Sequence, residues 1–78
     1  MTVKEFKIQY ALGSLSRDNL LEIAKNRNTP KQILAILSVY ENYWIRYSVS
    51  NNPNTSKKVL KTLSKEFYIL TYNDFVGR

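Results

Sequence analysis

Apolar residues recur along this chain at the spacing of an α-helix, in short segments separated by turns and capping residues. Residues 3–13 mix apolar and charged side chains, which predicts a short amphipathic helix that ends at Gly13. The next helix is predicted to begin at Ser16 as its N-cap, with Asp18 in its first turn, and to run to about Lys25.

Two further helices are predicted in the middle of the chain. The first has Thr29 as its N-cap and Pro30 at its first helical position, where a missing N–H has no intrahelical partner to lose. The second spans residues 43–50 and places Ile45 and Val49 one turn apart on the same side. The apolar stripe of the first of these helices consists of Ile33, Leu34, Ile36, Leu37 and Tyr40.

The last third of the chain opens with a turn at residues 51–54, because asparagine tolerates left-handed geometry and Pro53 keeps the residue before it out of the helical region. Thr55 is the predicted N-cap of a helix over residues 56–65. The apolar side of this helix carries Val59, Leu60 and Leu63, and lysines lie on the other side.

The tail, residues 67–78, is rich in aromatic and β-branched residues, which by propensity alone would permit a strand. Its register indicates a helix instead. Phe75 follows Val49 at the distance that separates Val49 from Ile23, which is twenty-six residues. The whole pattern therefore predicts about six short helices.

One stretch of the sequence occurs twice. Residues 51–64 repeat residues 25–38 at a distance of twenty-six positions. The identical pairs are Asn26/Asn52, Asn28/Asn54, Thr29/Thr55, Lys31/Lys57, Leu34/Leu60, Leu37/Leu63 and Ser38/Ser64. A fixed period of this size is typical of helical repeat proteins, in which neighbouring repeats complete each other's core. We therefore expect an all-α fold, a short α-solenoid of about three two-helix repeats of 26 residues.

The chain is expected to form a single helical-repeat domain over residues 1–78, since no linker rich in glycine, serine or proline divides it. A degenerate N-terminal unit is predicted at about residues 1–25, a central unit at about 26–51 and a C-terminal unit at about 52–78. Degenerate end units are typical of the caps of repeat proteins.

Residues 43–66, YWIRYSVSNNPNTSKKVLKTLSKE, resemble the variant leucine-rich repeat family, a HEAT-like group of helical repeat proteins. Ile45 and Arg46 stand for the Val-Arg pair of that family, Val49 and Ser50 for its Val-Ala pair, and Asn-Pro-Asn-Thr with two spaced leucines follows. The upstream copy keeps Asn26, Asn28, Thr29 and Pro30 but lacks the arginine of the Val-Arg pair.

The resemblance implies a right-handed superhelix with a small concave binding face, and it implies no reaction. The best-known member of the family carries an iron–sulfur site in a separate cysteine-rich segment. This sequence has no cysteine, so that site does not carry over and no cofactor is expected.

Charge and missing residue types narrow the functional classes. Twelve Lys and Arg against six Asp and Glu give a net charge of +6, which attracts polyanions such as nucleic acid, acidic protein surfaces and anionic lipid. Without cysteine or histidine, disulfides and the usual zinc ligands are excluded.

No apolar run approaches the ~18 residues of a spanning helix, and the first residues are too polar for a signal peptide. A cytoplasmic protein with no membrane insertion is expected.

Four lysines, Lys57, Lys58, Lys61 and Lys65, are predicted to lie on one side of a helix and are called the lysine row below. Arg27 and Lys31 take the matching place one unit earlier. Such a ladder could follow a phosphate backbone. The alternative is that these lysines are the solvated side of an amphipathic helix.

Aromatic residues cluster at Tyr40, Tyr43, Trp44 and Tyr47, with Arg46 among them. They could anchor a partner or stack on bases, since Trp, Tyr and Arg are the usual hot-spot residues. Alternatively, the rings fill space between stacked repeats, although Trp44 and Tyr47 cannot both point in the direction of Ile45. Arg46 could instead brace a neighbouring turn or helix end by donating to backbone carbonyls.

Nothing in the sequence indicates catalysis, because the six carboxylates have no metal-loop or acid–base spacing and no phosphate loop or serine elbow occurs. The favoured hypothesis is a non-enzymatic interaction module that binds an acidic protein surface, as a small regulator or inhibitor. A nucleic-acid-binding protein that uses a basic helix face is the alternative, and self-association is a third. The residues predicted to contact a partner are Arg27, Lys31, Tyr43, Trp44, Arg46, Tyr47, Lys57, Lys58, Lys61 and Lys65.

Overall fold

The computed structural model describes residues 1–67, and every regular element in this range is a helix, which confirms the predicted all-α class. The helices are α1 Val3–Leu12, α2 Arg17–Lys25, α3 Lys31–Leu37, α4 Tyr43–Ser50 and α5 Lys57–Leu63. The sixth helix, predicted for the tail, lies outside the described residues.

The first two helices begin and end where the sequence predicts. In α1, Thr2 and Glu5 form a reciprocal capping box, and Gly13 ends the helix in the left-handed region at φ 68°. In α2, the Ser16 side chain accepts from the Asn19 N–H, and Asn26 follows the last residue. These caps supply partners to main-chain groups that a helix end otherwise leaves unpaired.

Thr29 is not the N-cap of α3, contrary to the prediction. Its hydroxyl donates to the carbonyl oxygen of Ile23 at 2.6 Å, so it closes the end of α2. The last carbonyls of a helix have no intrahelical partner and compete for such a donor. Pro30 takes the cap position instead, with no side-chain hydrogen bond, and α3 begins at Lys31.

Thr55 departs from its prediction in the same way. Its hydroxyl donates to the carbonyl oxygen of Val49 at 2.7 Å, at the end of α4. Ser56 is the N-cap of α5 and accepts from the Val59 N–H. The helix also ends two residues early, at Leu63 rather than Lys65.

One shared core joins the helices. α2 packs chiefly against α4, α3 contacts α1, α2 and α4, and α5 packs on α4. The buried apolar residues are Phe6, Leu20, Ala24, Ile33, Leu34, Leu37, Ile45, Val49, Leu63 and Phe67. Ile45 and Val49 are fully buried, as their spacing predicts, whereas Tyr40 lies beyond the end of α3 and is half-buried. The helices found in residues 1–67 are all too short or too polar to cross a bilayer.

Candidate protein-binding surface

Helix α4 presents three aromatic side chains on the side opposite its core residues. Trp44 is 64% exposed, Tyr43 47% and Tyr47 39%, and we call these three residues the aromatic cluster. Asn42 starts the helix, because its side-chain oxygen accepts from the N–H groups of Trp44 and Ile45. With Ile45 fully buried, the cluster must point outward, and the prediction of an accessible ring is confirmed.

Ring contacts hold the aromatic cluster in one arrangement. Tyr43 and Tyr47 stack in parallel at 6.4 Å between ring centroids. Both also meet the buried ring of Phe67 edge-on, at 5.0 and 5.5 Å. Trp44 meets Tyr43 edge-on at 5.1 Å. Aromatic pairs in these geometries add stability beyond that of the surface area they bury, so the two tyrosines help to stabilise the fold. Trp44 is the most exposed ring of the three.

Arg46 is bound within the protein. Its Nη1 donates to the carbonyl oxygens of Tyr40 and Glu41, both at 2.7 Å. Its Nε and Nη2 donate to the carboxylate of Glu66, with Nη2–Oε1 at 2.5 Å. The hydrogen bonds to Glu66 raise the pKa of the Arg46 guanidinium. Arg46 therefore braces the α3–α4 turn, as one alternative from the sequence predicts, and ties α4 to the turn that follows α5.

An open groove of about 520 Å³ lies along the seam between α2 and α4. Its lining residues are Leu21, Lys25, Trp44, Tyr47, Ser48 and Asn51, and we call it the aromatic groove. Lys25 is the only charged side chain among these described lining residues. An apolar side chain and a carboxylate on one partner segment would both find a complement here.

Leu21 and Lys25 were not among the site residues predicted from the sequence. They lie on α2 and reach the aromatic cluster only because α2 packs against α4. The twenty-six-residue repeat was the sequence signal that could have indicated them. Leu21 is the counterpart of Tyr47, and Lys25 is the counterpart of Asn51.

The lysine row lies on α5 and the turn after it, and none of its members lines the aromatic groove. All four lysines are exposed. Within residues 1–67, Lys58, Lys61 and Lys65 form no ion pair. Arg27, in the α2–α3 turn, and Lys31, the first residue of α3, are also exposed. The described part of the chain has no group of three metal-ligating side chains close together.

Comparisons with known proteins add no relative. No protein-family model matches this chain, and neither a curated protein nor a solved structure matches it.

Proposed function

We propose that this protein is a non-enzymatic, cytoplasmic interaction module that binds an acidic protein surface, as a small regulator or inhibitor. The observation that carries the proposal is the exposed Trp44 beside Lys25 in the aromatic groove. An exposed tryptophan on a rigid helix is an effective anchor, since its large ring is buried on binding with little loss of conformational freedom.

The order of the aromatic cluster supports this role. Tyr43 and Tyr47 rest on Phe67, and the Arg46–Glu66 pair ties the same helix to the turn after α5. A surface held in its binding conformation loses little entropy when the partner docks. Lys25 favours a carboxylate in the groove, and the net charge of +6 speeds the approach of an acidic partner.

The scaffold that we propose for this surface is a short right-handed α-solenoid of about three 26-residue repeats, related to the variant leucine-rich repeat family. In its support, the two turns that follow α2 and α4 share the threonine bond to the preceding helix end. Equivalent helices also pack together, α2 with α4 and α1 with α3.

A pulldown from host lysate with Trp44→Ala tests the anchor. We expect the variant to lose the partner that the wild-type protein retains. Val39→Ala is the matched control, because Val39 is an exposed apolar residue away from the groove, at 79% exposure. Circular dichroism establishes that both variants fold. A partner that Trp44→Ala retains in full would refute the anchor.

The charge of the partner is tested with Lys25→Glu in the same pulldown. We expect binding to fall about tenfold, since the partner's carboxylate meets a like charge. Lys7→Glu on α1 makes the same change of net charge at an exposed position outside the groove and should have little effect. Equal losses in both variants would mean that only overall charge matters.

The exposed lysine row favours nucleic-acid binding as a second candidate function. Because Lys58, Lys61 and Lys65 form no ion pair within residues 1–67, they are open to phosphates. Lys58→Glu combined with Lys61→Glu should then abolish binding to generic single-strand or duplex probes, and the affinity should fall steeply with salt. A wild-type protein that shifts no such probe at low salt eliminates this candidate.

A further inference from the structure

The turns after α2 and α4 have the same internal hydrogen bonds. We call residues 26–29 the first turn and residues 52–55 the second turn. In the first, the side-chain oxygen of Asn26 accepts from the Asn28 N–H at 2.9 Å. In the second, the side-chain oxygen of Asn52 accepts from the Asn54 N–H at 2.8 Å. Corresponding asparagines therefore have corresponding places in the two turns.

Side-chain amides bind the second turn to the first. The Nδ2 of Asn52 donates to the carbonyl oxygens of Ala24 and Asn26, at 2.8 and 2.9 Å. The Nδ2 of Asn54 donates to the carbonyl oxygen of Thr29 at 2.6 Å. These acceptors lie at the C-terminal end of α2 and in the turn that follows it, where carbonyls lack intrahelical partners. The asparagines of the second turn thus recognise a helix end.

The matching amides of the first turn meet no acceptor in the part of the chain that the structure describes. Within residues 1–67, the Nδ2 groups of Asn26 and Asn28 donate no hydrogen bond. Both side chains line a cavity of about 550 Å³ at the N-terminal end of the molecule. The rest of the lining comes from Met1, from α1 and the loop after it, from α2, and from residues 29–33.

Comparison with the residues twenty-six positions later shows what kind of surface lines this cavity. The α2 residues Asn19, Glu22 and Ile23 line it. Their counterparts twenty-six positions later are Ile45, Ser48 and Val49, which are buried in the fold where α4 packs chiefly on α2. At the second turn, the corresponding place is filled by the end of a neighbouring helix, α2. At the first turn, the cavity takes that place. Asn19 and Glu22 make it more polar than its buried counterpart.

We infer that this cavity is a second binding site, which takes the C-terminal end of a helix of a partner protein with a lysine or arginine in its last turn. The Asn26 and Asn28 amides donate to the free carbonyls of that helix. Glu22 is the only charged side chain among the described residues of the lining and pairs with the cation. Helix C-termini favour cations, and α2, which the second turn recognises, has Lys25 in its last turn.

This site is independent of the aromatic groove, because the two share no lining residue. A variant in one site therefore leaves the other intact. If the second binding site proved wrong, the function proposed for the aromatic groove would stand, and the reverse also holds.

The test uses a peptide with the sequence of residues 15–29, which carries the carbonyls that Asn52 and Asn54 recognise. A side-chain lactam keeps it helical, because short isolated helices are marginal in water. The peptide is titrated into the ¹⁵N-labelled full chain, and NMR follows the side-chain amide signals. We expect the signals of Asn26 and Asn28 to shift and that of Asn51, in the aromatic groove, to stay.

Variants then measure each contact. Asn28→Ala should weaken binding of the peptide about fivefold to tenfold, the effect of one lost hydrogen bond. Glu22→Gln should weaken binding about fivefold and remove its salt dependence. Gln32→Ala is the matched control, because it removes an exposed side-chain amide that lies outside both sites, and it should bind as the wild type does. If Asn28→Ala fails to fold, Asn28→Asp replaces it, since aspartate keeps the shape and lacks the amide donor.

Three results would overturn the inference. The first is the absence of any shift at Asn26 and Asn28 with millimolar peptide. The second is an unchanged affinity in the folded Asn28 variant. The third is an Asn28-dependent dimer of the full chain in sedimentation velocity without peptide, because the occupant would then be a second copy of this chain.

Discussion

At the scale of single residues, buried asparagine does more in this protein than form turns. Asn52 is 3% exposed, and its side chain makes three hydrogen bonds, two to the end of α2 and one to the Asn54 N–H. A buried amide with all these partners stabilises one packing arrangement, because any other leaves polar groups unpaired.

The pair Asn52→Ala and Asn26→Ala tests this role. Asn52→Ala should lower the free energy of unfolding by about 3 kcal/mol, since it leaves the Ala24 carbonyl without a donor and the Asn54 N–H without an acceptor. Asn26→Ala removes the equivalent side chain from an exposed position and should cost below about 1 kcal/mol. Urea unfolding followed by far-UV circular dichroism measures both. Equal losses would mean that the hydrogen bonds from side-chain amides between the two turns add no stability of their own.

Arg46 is the second residue whose role is structural. Lysine at this position cannot reach the carbonyls of the α3–α4 turn and the Glu66 carboxylate together, because it has one ammonium group instead of a planar fork. We therefore expect Arg46→Lys to lower the urea midpoint more than Glu66→Gln does. Glu66→Gln removes only the partly exposed ion pair, which contributes little. The opposite order would show that the ion pair, and not the carbonyl contacts, braces α4.

At the scale of helices, the sequence predicts positions well and caps less well. The bounds of α4 are as predicted, since Asn42 and Asn51 flank a segment whose buried positions are one turn apart. Thr29 and Thr55 were predicted as N-caps, but each bonds to the helix before it. A threonine between two helices can serve either one. The packing decides, and a single sequence window does not contain it.

The candidate site divides in the same way. The outward position of Trp44 follows from helical spacing, because Ile45 must point to the core. Lys25 could not be placed beside it, since that contact depends on how α2 packs against α4. Likewise, Asn52 shows in sequence only its turn preference, and its bond to Ala24 spans 28 residues.

Helix α1 gives a prediction about pH. The hydrogen bond from the Thr2 N–H, and then that from the Thr2 hydroxyl, lower the pKa of Glu5. Because the folded pKa lies below that of the unfolded chain, about 4.3, this carboxylate stabilises α1 fully above that value. The contribution is lost as pH falls through the folded pKa.

Thr2→Ala removes the hydroxyl of the capping box but keeps the N–H of residue 2, so it should return the pKa of Glu5 only part of the way to its ordinary value. NMR titration of the Glu5 carboxyl carbon in the wild type and the variant measures the change. An unchanged Glu5 titration in Thr2→Ala would show that the Thr2 hydroxyl has no part in lowering the pKa of Glu5.

At the scale of the whole molecule, the described helices share one core and should unfold together. A chain of 78 residues buries only about 60 to 65% of its unfolded surface, so its stability is small. Within the described residues, core side chains come from all five helices, and hydrogen bonds from side-chain amides join the two turns. No helix in this arrangement buries its apolar side alone, which favours a single transition.

Leu34→Ala measures this cooperativity. Leu34 is fully buried on α3, and its truncation should lower the free energy of unfolding by about 3 kcal/mol. Trp44, the only tryptophan, reports on α4 by fluorescence, while far-UV circular dichroism reports on all helices. In urea, both signals should give one midpoint, and Leu34→Ala should shift both by the same amount. Val39→Ala, on the surface, should shift neither. A fluorescence midpoint that stays in place while the circular dichroism midpoint falls would mean that α3 and α4 unfold separately, so that the aromatic groove could persist without a complete core.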